Sequence, residues 1–187
     1  MVVRMTEDIK VRLSVRQRLA TDTHDIHEAL HVDPVLSRLT SADVKRDEYF
    51  SALSVFAGVY RAVETERQRF DVFGNWCLAR ELSALAIDLA GVPQPNVRIT
   101  FKDAAGLLGG LYVMHGASFG RTQFGRTVRA SLPDVSSRFV SLGPCKETWR
   151  SLCDQLEDAG RSERTYARIV EGAGACFSLV EATARRA

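Results

Sequence analysis

Hydrophobic residues recur along most of the chain at the 3.6-residue period of an amphipathic α-helix. In the first such segment, Leu19, Thr23, Ile26 and Leu30 form one apolar stripe, and Asp33-Pro34 ends it. No convincing two-residue alternation predicts a strand. The pattern therefore predicts an all-α fold of about six to eight helices. The predicted helical segments are residues 13–31, 43–70, 76–90, 101–131, 144–159 and 163–186.

Length and composition predict one folded domain, because 187 residues with 45% hydrophobic content can bury a core without metal or disulfide links. We expect residues 1–12 to be an N-terminal tail and residues 13–187 to be the domain. A net charge of +2 gives no electrostatic argument for a nucleic-acid partner. No apolar run is long enough to span a membrane, and no secretory signal is evident. Four cysteines without a CxxC pair then favour reduced thiols in the cytoplasm.

Three of the four histidines lie within eight residues of the first predicted helix. Their spacings of three and four place His24, His27 and His31 along one stripe beside the apolar face. This pattern leaves three interpretations open. The histidines can be structural and paired with Asp25 or Glu28, they can form a bare metal site, or one of them can be an axial ligand of heme iron.

Residues 105–131 carry six glycines among apolar residues. Each glycine inside a helix costs roughly 0.5–1 kcal/mol of helix stability relative to alanine. Six glycines in one helical segment therefore require an explanation. One explanation is that Gly116 and Gly120, four residues apart, let a planar ligand approach the main chain and let the helix bend. The other is close helix packing through small residues, or two short helices broken at Gly109-Gly110.

Together these segments resemble the heme oxygenase family. Residues 19–30, LATDTHDIHEAL, resemble its proximal-helix motif, in which a threonine lies four residues before the axial histidine; Thr23 and His27 occupy those positions. Residues 111–120, LYVMHGASFG, resemble the distal-helix motif of bacterial members. The second helix, residues 34–64, and the closing segment 168–177 are also similar, so that the resemblance spans roughly residues 13–185. It implies an all-α, single-domain bundle with a kinked, glycine-rich distal helix.

The resemblance implies that the protein cleaves heme b oxidatively to biliverdin, with release of carbon monoxide and ferrous iron. His27 would bind the iron through Nε2, with its Nδ1–H held by Glu28 or Glu181. Gly116, Ser118 and Gly120 would form the catalytic surface on the other face of the ring. An external donor of the ferredoxin, flavodoxin or ascorbate type would supply electrons. Bacterial family members of this length serve iron acquisition from heme or supply bilin to a bacteriophytochrome pathway, and the form of the distal motif is more similar to the phytochrome-associated kind.

The resemblance also implies a set of heme-binding side chains. Tyr112, Phe119 and Arg121 adjoin the distal glycines, and Lys146 and Arg150 match a basic pair that anchors propionates in some family members. Arg16, three helical turns before His27, is a further propionate candidate. Each of these cations can equally be an ordinary solvated helix charge.

Three positions depart from the family pattern. Ala117 replaces the distal aspartate of mammalian-type members, and Arg121 replaces a small residue. His115 replaces a usual acid, and it would either coordinate iron or face another helix. Arg121 would block dioxygen, point outward or contact a propionate.

These changes leave a second hypothesis, a heme- or bilin-binding protein without turnover. A thiaminase-like or diiron-carboxylate enzyme is a third, although no ExxH pair and no activated cysteine is evident.

Overall fold

The computed structural model describes residues 13–187, so the expected tail 1–12 lies outside the described residues. Throughout this range the regular structure is helical, and it contains no strand. The all-α prediction is therefore confirmed. The helices are α1 (Val15–Asp22), α2 (His24–His31), α3 (Arg46–Phe70), α4 (Ala79–Asp88), α5 (Ala104–Gly116), α6 (Ser118–Ser131), α7 (Arg138–Ser141), α8 (Lys146–Ala159) and α9 (Glu163–Ala184), with short 3₁₀ turns at Leu36–Thr40 and Gly74–Trp76.

Close contact between α5 and α9 forms the centre of the molecule, and α3 packs against both. Glycines make this contact possible. A Cβ atom at Gly109 would collide with the carbonyl oxygen of Ile169, and one at Gly172 would collide with that of Gly106. The two backbones therefore approach more closely than side chains would allow, which fixes α5 on α9.

The first predicted helix is divided into α1 and α2 at Thr23. The Thr23 hydroxyl donates to the carbonyl oxygen of Leu19 at 2.8 Å, and the backbone there leaves the helical region with φ −109° and ψ 6°. Threonine hydroxyls that bond back to the preceding turn commonly bend helices. The predicted apolar stripe is nevertheless confirmed, since Leu19 and Thr23 are buried and Ile26 and Leu30 pack against the core.

Helix boundaries also differ from the sequence prediction in other places. The segment 101–131 is divided at Ala117 into α5 and α6, and α4 begins three residues later than residue 76. The short helix α7 was not predicted. Its first amides are capped from a distant part of the chain, because the Asp88 carboxylate accepts from the amides of Arg138 and Phe139 at 3.0 and 2.7 Å. A cap supplied by another helix leaves no local sequence signal.

No helix in residues 13–187 is long and apolar enough to cross a membrane.

Candidate functional site

His27 lies at the boundary between α2 and α9. Its side chain is 51% exposed, and its ring centroid is 5.8 Å from that of Phe177 on α9. Nδ1 lies 3.4 Å from Oε1 of Glu28. Glu181, the other expected partner, is instead hydrogen-bonded to Arg185 at 2.5 Å. Nε2 of His27 has no hydrogen-bond partner among residues 13–187, so this nitrogen is free to bind a ligand.

Five of the six glycines of α5 and α6 fall into two groups, and a Cβ at the sixth, Gly106, would meet Phe101 at an ordinary 3.6 Å. A Cβ at Gly109, Gly110 or Gly125 would collide with Ile169, Phe101 or Val140 respectively, so these glycines serve helix packing. A Cβ at Gly116 would meet only the Trp149 indole at an ordinary 3.6 Å, and one at Gly120 would meet nothing within 4 Å. Packing inside the described chain therefore does not require glycine at 116 or 120. The packing explanation holds for the first group only.

Polar groups support the junction between α5 and α6 at Ala117. The Ser118 hydroxyl, which is buried, donates to the carbonyl oxygen of His115 at 2.6 Å. The buried Tyr60 hydroxyl donates to the carbonyl oxygen of Met114 at 2.9 Å. Both bonds satisfy carbonyls at the end of α5 that would otherwise lose their partners. The structure thus gives Ser118 a supporting contact in the junction.

An aromatic cluster lies beside Gly116 and is centred on Trp149. The ring of Tyr112 stacks on Trp149 of α8 with centroids 5.4 Å apart, and Phe119 contacts the same indole edge-on at 5.2 Å. Phe119 is 48% exposed, an unusual position for a large apolar ring. The sequence pattern did not indicate Trp149, which lies between the predicted propionate cations Lys146 and Arg150.

Three of the expected cations lie on the surface near this cluster. Arg16, Lys146 and Arg150 are exposed. Burial raises the pKa of Tyr112, and the positive charge of Arg16 partly offsets that rise. Glu157 of α8 accepts from the amides of Val15 and Arg16 at 2.9 and 3.0 Å and so fixes the start of α1 against α8.

Arg121 lies inside the fold, so the expectation that it points outward is wrong, and its contact with a propionate stays a prediction. The residue is 2% exposed, its guanidinium lies 3.2 Å from the Glu81 carboxylate, and it covers the Phe139 ring at 4.8 Å. The helical rotation of α6 directs position 121 into the core while position 120 faces outward. Arg121 therefore joins α6 to α4.

His115 also faces the interior. Its Nε2 lies 3.0 Å from the Trp76 carbonyl oxygen, so the neutral ring donates this hydrogen bond. Burial lowers the pKa of His115, although the hydrogen bond to Trp76 and the Glu81 charge act in the opposite direction. Of the two alternatives for this residue, the structure favours a contact with another part of the fold.

The open distal surface and the free imidazole are compatible with heme. Neutral imidazole is a common axial ligand of heme iron. Gly120 lies on the exposed surface with no atom within 4 Å of a built Cβ, and the Tyr112, Phe119 and Trp149 rings offer apolar surface near this segment. The residues present therefore fit this group.

Solved structures provide the comparison with known proteins, since neither a protein-family model nor a curated protein matches this sequence. The heme oxygenase from Neisseria meningitidis, solved with NO and CO bound, aligns with a TM-score of 0.72 at 18% identity, covering 94% of this chain and 92% of that one. Heme oxygenase-1 from Synechocystis sp. PCC6803, solved in complex with heme, gives 0.70 at 15% identity, covering 93% and 92%. The heme oxygenase from Leptospira interrogans gives 0.69 at 17% identity, covering 94% and 100%. The chain therefore has the heme oxygenase fold.

Proposed function

We propose that this protein is a heme oxygenase, an oxidoreductase that cleaves heme b to biliverdin with release of carbon monoxide and ferrous iron. The observation that carries the proposal is the glycine pair at the α5–α6 junction. Gly116 and Gly120 have no packing reason within the described chain, whereas Gly109, Gly110 and Gly125 have one. The fold of solved heme oxygenases supports the proposal.

His27 would bind the heme iron through Nε2. The carboxylate of Glu28 beside Nδ1 would keep the proton on that nitrogen, and a carboxylate partner makes the imidazole a more basic ligand. Heme supplies a redox-active iron and is itself the molecule that is consumed. The protein has to hold the ring in one orientation and shield it from bulk water.

Main chain at Gly116 and Gly120 would cover the other face of the ring. Without Cβ atoms these residues leave room for a small diatomic molecule and present backbone polar groups to ordered water. Ser118 would act by holding the α5–α6 junction through its bond to His115. Tyr112 and Phe119 would contact the ring edge.

The exposed cations Arg16, Lys146 and Arg150 would bind the propionates. Arginine pairs with carboxylates in a planar, two-point geometry, which would fix how the ring is rotated in its slot. These exposed side chains can reach a carboxylate while keeping contact with water.

An external donor would have to deliver the electrons that oxidative cleavage of heme consumes. We propose a ferredoxin-, flavodoxin- or ascorbate-type donor, and a bacteriophytochrome pathway as the consumer of the bilin. The four cysteines are free thiols, and Cys77 and Cys145 are exposed, which supports a reducing cytoplasmic location.

A second candidate is a heme- or bilin-binding protein without turnover. Ala117 offers no polar side chain at the junction, and the Ser118 hydroxyl is already engaged by the main chain. Fewer groups would then be available to organise water and move protons on this face. Binding of heme without formation of product is the result that this candidate predicts.

A hemin titration followed by turnover separates the two candidates. The purified protein is titrated with hemin, and the Soret band of a histidine-ligated heme is recorded. Ascorbate or a ferredoxin system is then added in air. Replacement of the Soret band by bilin absorption supports the oxygenase, whereas a Soret band that persists supports the binding protein. If hemin addition causes no Soret change, the oxygenase and the heme-binding form of the second candidate are both wrong.

A further inference from the structure

One exposed turn of α2 brings three metal-ligating side chains together. His27, Glu28 and His31 each offer a ligand atom, and these atoms all lie within 4.8 Å of one another. The rings of His27 and His31 are in edge contact, with centroids 4.7 Å apart. Such spacing follows from helix geometry, because residues four apart lie one above the other on the same face.

The ligand chemistry suits a divalent transition metal. Imidazole nitrogen binds zinc, copper and nickel well, and a carboxylate is a common additional ligand. Two ligands of a tetrahedral zinc ion at their usual bond lengths are about 3.4 Å apart. The distance from Nδ1 of His27 to Oε1 of Glu28 is already 3.4 Å.

These side chains are available to a metal. His27 and Glu28 are 51% and 54% exposed, so they can turn toward an ion and leave a coordination position to water. Within residues 13–187 no hydrogen bond to a side chain outside this turn competes for them. His31 is the last residue of α2, and the partial negative charge at a helix C-terminus favours a cation there.

We propose that His27, Glu28 and His31 form a binding site for a divalent transition-metal ion, with zinc as the probe. The site exists in the heme-free protein and uses His27, the residue that the proposed function assigns to heme iron. Zinc and heme therefore compete for this imidazole. The competition between zinc and heme rests on the proposed function, whereas the metal site itself does not.

Zinc binding is measured by calorimetry on the heme-free, chelator-treated full chain. The exposed thiols are removed in a C77S/C145S background, because thiolates bind zinc themselves. We expect one zinc per chain. His31→Ala and Glu28→Ala should each weaken binding by about tenfold or more, since even outer partners of a metal site contribute that much. His24→Ala, on the same helix but outside the cluster, should leave the affinity unchanged.

The metal site would be overturned if His31→Ala bound zinc as tightly as the unsubstituted protein. It would also be overturned if His24→Ala lost as much zinc affinity as His31→Ala. Competition is tested separately by hemin titration of zinc-loaded and zinc-free protein. Zinc should weaken hemin binding, and His31→Ala should relieve that effect. If zinc binds but leaves hemin binding unchanged, the metal site stands and the shared use of His27 is wrong. If hemin binds through His27 but zinc does not bind, only the metal site is wrong.

Discussion

At the residue scale, the same amino acid serves different purposes in one helical segment. Gly109 faces the backbone of α9, while Gly120 faces open space. The sequence shows that Gly116 and Gly120 are four residues apart, but only the neighbours of each position in space show which glycines a Cβ would force apart from their surroundings and which have room for one.

Alanine substitutions test this distinction directly. We expect Gly109→Ala to lower the free energy of unfolding by several kcal/mol, because overpacking against backbone typically costs about 1–3 kcal/mol or more. Gly120→Ala should raise it by up to about 1 kcal/mol through better helix propensity. Urea unfolding followed by circular dichroism measures both.

Hemin turnover by Gly120→Ala completes the comparison. The added methyl group would occupy the surface proposed for the ring, so the rate of bilin formation should fall although the protein is at least as stable. Unchanged turnover in this variant would show that position 120 does not face the heme.

His27 is the residue whose substitution should remove heme ligation. His27→Ala should abolish the histidine-ligated Soret spectrum while far-UV circular dichroism stays unchanged, because the side chain is half exposed and contributes little to the core. His24→Ala and His31→Ala, measured without added metal, should keep the spectrum. Three variants that bind hemin alike would contradict the assignment.

At the scale of elements, buried polar groups decide how α6 meets α4. Glu81 of α4 accepts hydrogen bonds from Arg80 at 2.9 Å and from Arg121 of α6 at 3.2 Å. Burial alone would raise the pKa of Glu81, but the hydrogen bond from Arg80 and the two positive charges together lower it. Nε and Nη1 of Arg121 have no hydrogen-bond partner within residues 13–187, so this ion pair is incompletely satisfied there.

Removing one partner of the Arg121–Glu81 ion pair should lower the stability of the fold. Arg121→Ala is expected to lower the free energy of unfolding by about 3 kcal/mol, because it leaves the Glu81 charge buried with one partner fewer. The double variant R121A/E81Q should lose less than the sum of the two single variants, since the uncompensated charge is removed. Denaturant unfolding of the four proteins measures this coupling, and strict additivity would show that the pair is independent.

At the scale of the whole molecule, stability should depend on pH through His115. Burial holds the pKa of this ring below its ordinary value, so the folded protein resists protonation where the unfolded chain accepts it at about pH 6.5. The contribution of unprotonated His115 to the free energy of unfolding is therefore fully present above about pH 6.5, and it is lost as the pH falls toward the lowered pKa.

The comparison variant is His115→Gln, whose amide can still donate to the Trp76 carbonyl. Between about pH 7.5 and pH 5.5, the unsubstituted protein should lose more stability than the variant, by at most about 1.4 kcal/mol per pH unit for one proton. Thermal unfolding at several pH values gives the difference. Parallel curves for the two proteins would show that His115 is not the titrating group.

The sequence by itself determined the helical fold, because apolar periodicity reports which face of each segment is buried, and Leu19 and Thr23 are indeed in the core. It also indicated the histidine turn and the glycine-rich segment, whose spacings are local. Contacts between distant segments were decided by the tertiary structure alone. The Trp149 indole over Gly116, the Asp88 cap of α7 and the inward turn of Arg121 each depend on residues far apart in the chain. Local patterns carry no information about which partners meet, so these features appear only when the helices are packed together.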